Sequence, residues 1–103
     1  MIWLLVLLIT TPQVKDLNDN IHKVYSKDGE IYYEVFDGER WSEPLNLSNS
    51  PYDSSYDPKI EIEGEIVTVE WREEHRGKVY KIRRRKLLSY PQWNLPHIID
   101  ELP

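Results

Sequence analysis

Residues 29–32 of the chain read Gly-Glu-Ile-Tyr, and residues 77–80 read Gly-Lys-Val-Tyr, 48 positions later. Two further blocks repeat in the same order, residues 12–15 with residues 58–61 and residues 41–48 with residues 93–100. The additional residues of the second copy fall where turns are expected. A period of about 40 to 50 residues built from short strands is typical of propeller blades and similar arrays.

Each copy predicts four short antiparallel strands separated by turn-forming residues. The predicted strands are residues 13–17, 21–26, 30–36 and 41–48 in the first copy, and residues 59–63, 66–72, 78–84 and 93–100 in the second. Asp28 and Gly29 predict a tight hairpin, whereas residues 73–77 predict a longer one in the second copy. Pro44 and Pro96 cannot donate a ladder hydrogen bond, so each fourth strand is expected at a sheet edge.

These patterns predict an all-β fold of two four-stranded antiparallel propeller-type blades, an incomplete β-propeller. Residues 12–48 form the first blade-like repeat and residues 58–100 the second. Residues 49–57 are polar and rich in turn formers, which indicates a linker between the blades. Residues 101–103 are a short tail.

Residues 1–11 begin with a run of apolar side chains and end with Thr10 and Thr11. The run is too short for a transmembrane span, which needs about 20 residues. Its length suits an export signal, which would place the protein outside the cell or in the cell envelope. The alternative is a buried strand in a cytoplasmic protein.

Composition limits the classes of function. At 103 residues the chain has room for one domain, and its net charge of -5 argues against nucleic acid as a partner. It has no Cys, which excludes disulfides and thiol catalysis. Seven Tyr and four Trp against one Phe suit surfaces that are half-buried or that face sugars or partners. We favour packing between blades over ligand binding for most of them.

Residues 29–34, the pair Asp37 and Gly38, and residues 41–48 resemble the sialidase-type β-propeller repeat, also called the BNR or Asp-box repeat. Asp37, Gly38 and Trp41 match the box Ser-x-Asp-x-Gly-x-Thr-Trp loosely, and the second copy keeps only Trp93. The resemblance implies a structural role for these residues, at the hairpin between the third and fourth strands. Family sialidases gather an arginine cluster and catalytic acids from six blades, a set that two blades cannot supply.

The strongest charge run contains Arg83, Arg84 and Arg85. One interpretation is an anion site, because arginine forks bind carboxylates and phosphates bidentately. The alternative, which we favour, is pairing with acidic residues on neighbouring strands. The expected partners are acids of the first copy or the second-copy set Glu61, Glu63 and Glu65.

His22, His75 and His97 lack the spacing of metal ligands, and we predict them in turns and at the surface. No metal or other cofactor is expected. No two carboxylates are paired by the sequence as glycoside hydrolysis requires.

The leading hypothesis is a non-catalytic module that binds a glycan or a protein. Two blades would leave blade faces open, so we expect self-association or a larger partner to cover them. The alternative is a fragment or subunit of a sialidase-like glycoside hydrolase that is active only in a complete propeller. The isolated chain is not expected to be an enzyme.

Overall fold

The structure is a computed structural model that describes residues 12–103, so the predictions for residues 1–11 lie outside the described residues. The fold is all-β, as predicted. Its strands are β1 (Gln13–Lys15), β2 (Ile21–Lys27), β3 (Glu30–Phe36), β4 (Leu45–Asn46), β5 (Ser54–Glu63), β6 (Ile66–His75), β7 (Lys78–Leu87) and β8 (His97–Leu102). The first four strands form one antiparallel sheet, which we call sheet one, and the last four form another, sheet two. In each sheet the strands are adjacent in chain order. No helix occurs between residues 12 and 103, and hence none there could cross a membrane.

Both sheets contain the same two-residue hairpin. Lys27 pairs with Glu30 across Asp28 and Gly29, which have φ angles of 52° and 78°. His75 pairs with Lys78 across Arg76 and Gly77, whose φ angles are 51° and 81°. Positive φ at both turn positions gives the type I′ geometry that matches the twist of the strands. The longer second hairpin predicted from the sequence is therefore wrong, and the two hairpins superpose at an offset of 48 residues.

Several strands of sheet two are longer than the sequence predicts. β5 begins at Ser54, inside the predicted linker, because the Ser55 N–H donates to the Gly29 carbonyl at 2.8 Å and the strand pairs with β6 from its first residue. β7 continues to Leu87, which pairs with Ile66. β8 includes Leu102 of the predicted tail, because it pairs with Val79.

The fourth strands lie at sheet edges, as the prolines predict. The segment before each fourth strand makes the same pair of hydrogen bonds to the third strand. The Ser42 N–H donates to the Val35 carbonyl while the Ser42 hydroxyl accepts from the Val35 N–H, at 2.8 and 2.9 Å. In sheet two, the Asn94 N–H donates to the Arg85 carbonyl at 2.9 Å, and the Asn94 side-chain oxygen accepts from the Arg85 N–H at 2.7 Å. Regular pairing then spans only Leu45–Asn46 in sheet one, much less than the predicted strand.

The core lies between the sheets. It consists of Val24, Ile31, Tyr33 and Leu47 from sheet one with Val69, Trp71 and Ile82 from sheet two. Side chains alternate between the two faces of a strand, so the other face of each sheet points outward. Each sheet therefore has an outer face that points away from this core.

Equivalent faces of the two sheets do not meet. At the hairpin offset of 48, the pair Lys23–Glu34 of sheet one corresponds to Trp71–Ile82 of sheet two. Trp71 and Ile82 are in the core, whereas Lys23 and Glu34 point away from it. The sheets therefore stack in tandem, and the face that sheet two buries is open in sheet one.

Candidate functional site

The open face of sheet one carries most of the aromatic side chains of that sheet. The odd-numbered residues 21–25 of β2 and the even-numbered residues 32–36 of β3 point to it, because side chains alternate along a strand. We call this surface the aromatic face, and it consists of Ile21, Lys23, Tyr25, Tyr32, Glu34, Phe36 and Trp41. Its register pairs are Tyr25 with Tyr32, Lys23 with Glu34, and Ile21 with Phe36.

The aromatic rings contact one another across the strands. Tyr25 and Tyr32 stack with their centroids 5.8 Å apart. Phe36 and Trp41 lie 5.3 Å apart, and 38% of Trp41 is exposed. Half-exposed Tyr and Trp rings in contact form a surface that gains free energy when a partner removes it from water.

One positive and one negative side chain lie among these rings. The Lys23 ammonium is 4.2 Å from the centroid of the Trp41 ring and 5.7 Å from that of Tyr25. The Tyr25 hydroxyl donates to the Glu34 carboxylate, and this hydrogen bond raises the pKa of Tyr25 to about 12. The aromatic face thus combines apolar area with a cation and an anion at fixed positions.

The outer face of sheet two has a different chemistry. We call it the charged face, and the exposed apolar pair Ile66 and Leu87 lies at one end of it. Its other residues are Tyr56, Lys59, Glu61, Thr68, Glu70, Arg72, Lys81, Arg83 and Arg85. Arg83 binds Glu70 through Nη2 at 2.9 Å and Nε at 3.0 Å. The ion pair of Arg72 and Asp57 at its border spans 3.8 Å and is about half exposed. Charged side chains thus form ion pairs at the surface of this face, as on a surface that faces water.

The structure does not bring the three predicted arginines together. Arg83 is paired with Glu70, not with the acids that the sequence indicated, and the Arg85 Nε donates to the Thr68 hydroxyl at 3.2 Å. Arg84 lies on the inner side of the sheet. It donates to the backbone carbonyls of Leu47 and Asn94, each at 2.8 Å, and its burial lowers its pKa. Arg84 thus links the two sheets.

Asp37 and Gly38 lie at the hairpin between β3 and β4. The Asp37 Oδ1 accepts the backbone N–H groups of Glu39 at 2.9 Å and Arg40 at 3.0 Å, which hold the pKa of this carboxyl below its usual range. Gly38 has a φ of 101°, in the region that favours glycine. The carboxylate organises the turn.

Trp41 and Trp93 occupy different environments despite their matched sequence positions. Trp41 lies on the aromatic face and forms an isolated antiparallel β-bridge with Phe36. Trp93 packs against the core, where its ring meets Tyr33 edge-on at 5.0 Å. Trp93 therefore joins the second sheet to the first, whereas Trp41 is available to a partner.

A buried polar network in sheet one was not predicted. His22 was expected at the surface, but only 4% of it is exposed. Its Nε2 is 2.8 Å from Asp16 Oδ2 and its Nδ1 is 2.7 Å from the Tyr33 hydroxyl. The local pattern did not place His22 on the inner face, because Ile21 and Tyr25 make the opposite face of β2 equally apolar.

A groove of about 490 Å³ runs between the two sheets. Glu73 Oε1 accepts from the Ser55 hydroxyl at 2.9 Å, the Trp71 indole at 3.2 Å and the Ser50 hydroxyl at 3.3 Å. Glu30 accepts from the hydroxyls of Ser48 and Ser50 and from the Ser50 N–H at 2.9 Å. Burial opposes ionisation of Glu30, but these hydrogen bonds outweigh it and lower its pKa. Ser50 bonds to both carboxylates and so links Glu30 of sheet one to Glu73 of sheet two.

His75 lies at the rim of this groove and binds Asp53, with the Nδ1 2.6 Å from the carboxylate oxygen. The nearby serine hydroxyls bond to the two glutamates, so the described residues of the groove do not form a Ser-His-Asp relay. Across residues 12–103, no three His, Asp or Glu side chains are grouped as metal ligands. The aromatic face is the better candidate for a functional surface.

Comparison with protein-family models, with curated proteins and with solved structures found no match to this chain.

Proposed function

We propose that the chain is a non-catalytic binding and assembly module of propeller type, in which each sheet is one blade and the aromatic face of sheet one is the contact surface. The observation that carries this proposal is the tandem stacking of the sheets. The face that sheet two buries through Trp71 and Ile82 has an open equivalent in sheet one.

Repeat arrays support this interpretation in physical terms. A repeat in such an array contacts its neighbours through fixed faces, and a terminal repeat needs a polar outer face to remain soluble. The charged face of sheet two, with Arg83 bound to Glu70, has the chemistry of such a cap. The aromatic face, with Tyr25, Tyr32 and Trp41, has the chemistry of a face that continues to a partner.

The absence of catalysis is proposed from the positions of the candidate groups. Arg83, Arg84 and Arg85 point to different partners, two on the charged face and one between the sheets. Glu30 and Glu73 are occupied by hydroxyl and N–H donors. A sialidase-like reaction would need free arginines around one sugar carboxylate and two free catalytic acids.

The test compares Tyr32→Glu on the aromatic face with Tyr56→Glu on the charged face. Self-association is followed by light scattering, glycan binding on an array, and turnover with a fluorogenic sialoside. We expect no turnover, and at least one contact that Tyr32→Glu abolishes and Tyr56→Glu retains. Sialoside turnover by the purified chain would contradict the proposal, as would contacts that are equally sensitive to both substitutions.

A further inference from the structure

As a step that rests on the proposed function, we propose that the aromatic face is covered by the aromatic face of a second copy of this chain. The product is a two-fold symmetric dimer of four stacked sheets. The pattern of side chains on the face, the chemistry of the opposite face and the size of the core each support this occupant.

The aromatic face is complementary to itself. A two-fold axis parallel to the strands, midway between β2 and β3, exchanges the two members of every register pair. It places Tyr25 over Tyr32 of the second copy, and Lys23 over the Glu34 of that copy. An aromatic ring therefore meets an aromatic ring at the first of these pairs, and a charge meets the opposite charge at the second. At the third pair, Ile21 meets Phe36 of the second copy, so two apolar side chains are in contact.

The charged face of a second copy is a poorer occupant. Packing it on the aromatic face would remove the pairs Arg83–Glu70 and Arg72–Asp57 from water. Burying an ion pair costs desolvation free energy that its attraction does not always repay. A head-to-tail ring, the form of self-association expected from an open propeller, is therefore disfavoured against a closed dimer.

The apolar core of the monomer is small, so the burial of additional apolar surface would stabilise the fold. Among residues 12–103 the fully buried apolar side chains of sheet one are Val24, Ile31 and Leu47. Domains near 100 residues bury a smaller share of their surface than larger ones. A contact over four half-exposed aromatic rings adds apolar burial that the monomer lacks.

The first measurement is the solution mass by light scattering on a size-exclusion column, with far-UV circular dichroism as the check of folding. We expect twice the 12.4 kDa of the chain. Tyr32→Glu should return the mass to that of the monomer, and Tyr56→Glu should leave the dimer intact. A wild-type monomer at millimolar concentration, or a dimer that survives Tyr32→Glu, would overturn the inference.

Charge exchange then tests the contact itself. The Lys23→Glu variant has an acid at both positions 23 and 34, and the Glu34→Lys variant has a lysine at both. Because the proposed axis places position 23 over position 34 of the second copy, like charges would meet in each variant, and each alone should be a monomer. Mixing them should restore the dimer mass, because each acid then meets a lysine of the other chain. A mixture that stays monomeric while both variants are folded would contradict the proposed axis.

The same samples separate this inference from the proposed function. Monomers that bind an arrayed glycan, with loss of binding in Tyr32→Glu only, would overturn the dimer and leave the aromatic face as a binding surface. Monomers without any glycan binding would overturn both.

Discussion

Removing one hydroxyl from the buried network of sheet one should destabilise the fold measurably. In this network the Asp16 carboxylate accepts from His22 Nε2, and the imidazole tautomer with its proton on that nitrogen leaves Nδ1 as an acceptor. In this tautomer the Tyr33 hydroxyl donates to Nδ1, with the two atoms 2.7 Å apart. Tyr33→Phe keeps the ring and its edge-on contact with Trp93 but leaves the Nδ1 of a buried histidine without its donor.

The magnitude follows from the burial of both partners. His22 is 4% exposed and Tyr33 is 7% exposed, so water cannot easily replace the missing hydroxyl. A buried acceptor that loses its donor costs about 1 to 3 kcal/mol. Each kcal/mol lowers the Tm of a domain of this size by about 4 to 8 °C. We therefore expect a fall in Tm of at least about 4 °C.

The assay is thermal and urea unfolding, followed by circular dichroism at a fixed protein concentration. Tyr32→Phe is the matched control, since Tyr32 adjoins Tyr33 in β3 but points to the aromatic face. It should change the Tm little. Equal losses of stability in Tyr33→Phe and Tyr32→Phe would refute the role assigned to the buried network.

Three other predictions follow from the same contacts. Burial opposes ionisation of Asp16, but hydrogen bonds from His22 and two backbone N–H groups lower its pKa below 3.8. Its contribution to stability is therefore complete above pH 3.8 and is lost as the pH falls through the lower folded-state pKa, so Asp16→Asn should flatten the acid limb of the unfolding free energy. Trp93→Leu should cost about 1 kcal/mol more in urea unfolding than Trp41→Leu, because Trp93 packs against the core whereas Trp41 is 38% exposed. Asp37→Ala should destabilise the chain more than Asp37→Asn, which keeps an acceptor for the two turn N–H groups; equal effects would contradict the turn role.

The sequence predicted the number of strands and their order because both depend on local signals. Asp28 and Gly29 mark one hairpin, and the apolar alternation of Val67, Val69 and Trp71 marks the face that sheet two buries. The start of β5 at Ser54 could not be predicted from local signals of this kind. Its inward residue, Ser55, is polar and is buried by a hydrogen bond to Gly29, which is distant in sequence.

The candidate site was predicted only in part, for a related reason. The Asp37 turn follows from an Asp-Gly pair whose bonds lie within the turn itself. The partner of Arg83 depends on the register between β6 and β7, which the two-residue turn at Arg76 and Gly77 sets. The sequence suggested a longer turn there, so it could not identify Glu70. Which face of sheet one is open depends on how the sheets stack, and no local pattern determines that.

We propose the aromatic face as the contact surface of this chain, and side-chain footprinting tests this proposal most directly. Hydroxyl-radical labelling of Tyr25, Tyr32 and Trp41 is compared with that of Tyr56 over a dilution series that ends well below the association range. We predict that the three aromatic-face residues are protected at high concentration and become labelled on dilution, while Tyr56 is labelled equally throughout. Labelling of the aromatic face that does not change with protein concentration or with added glycan would contradict the account.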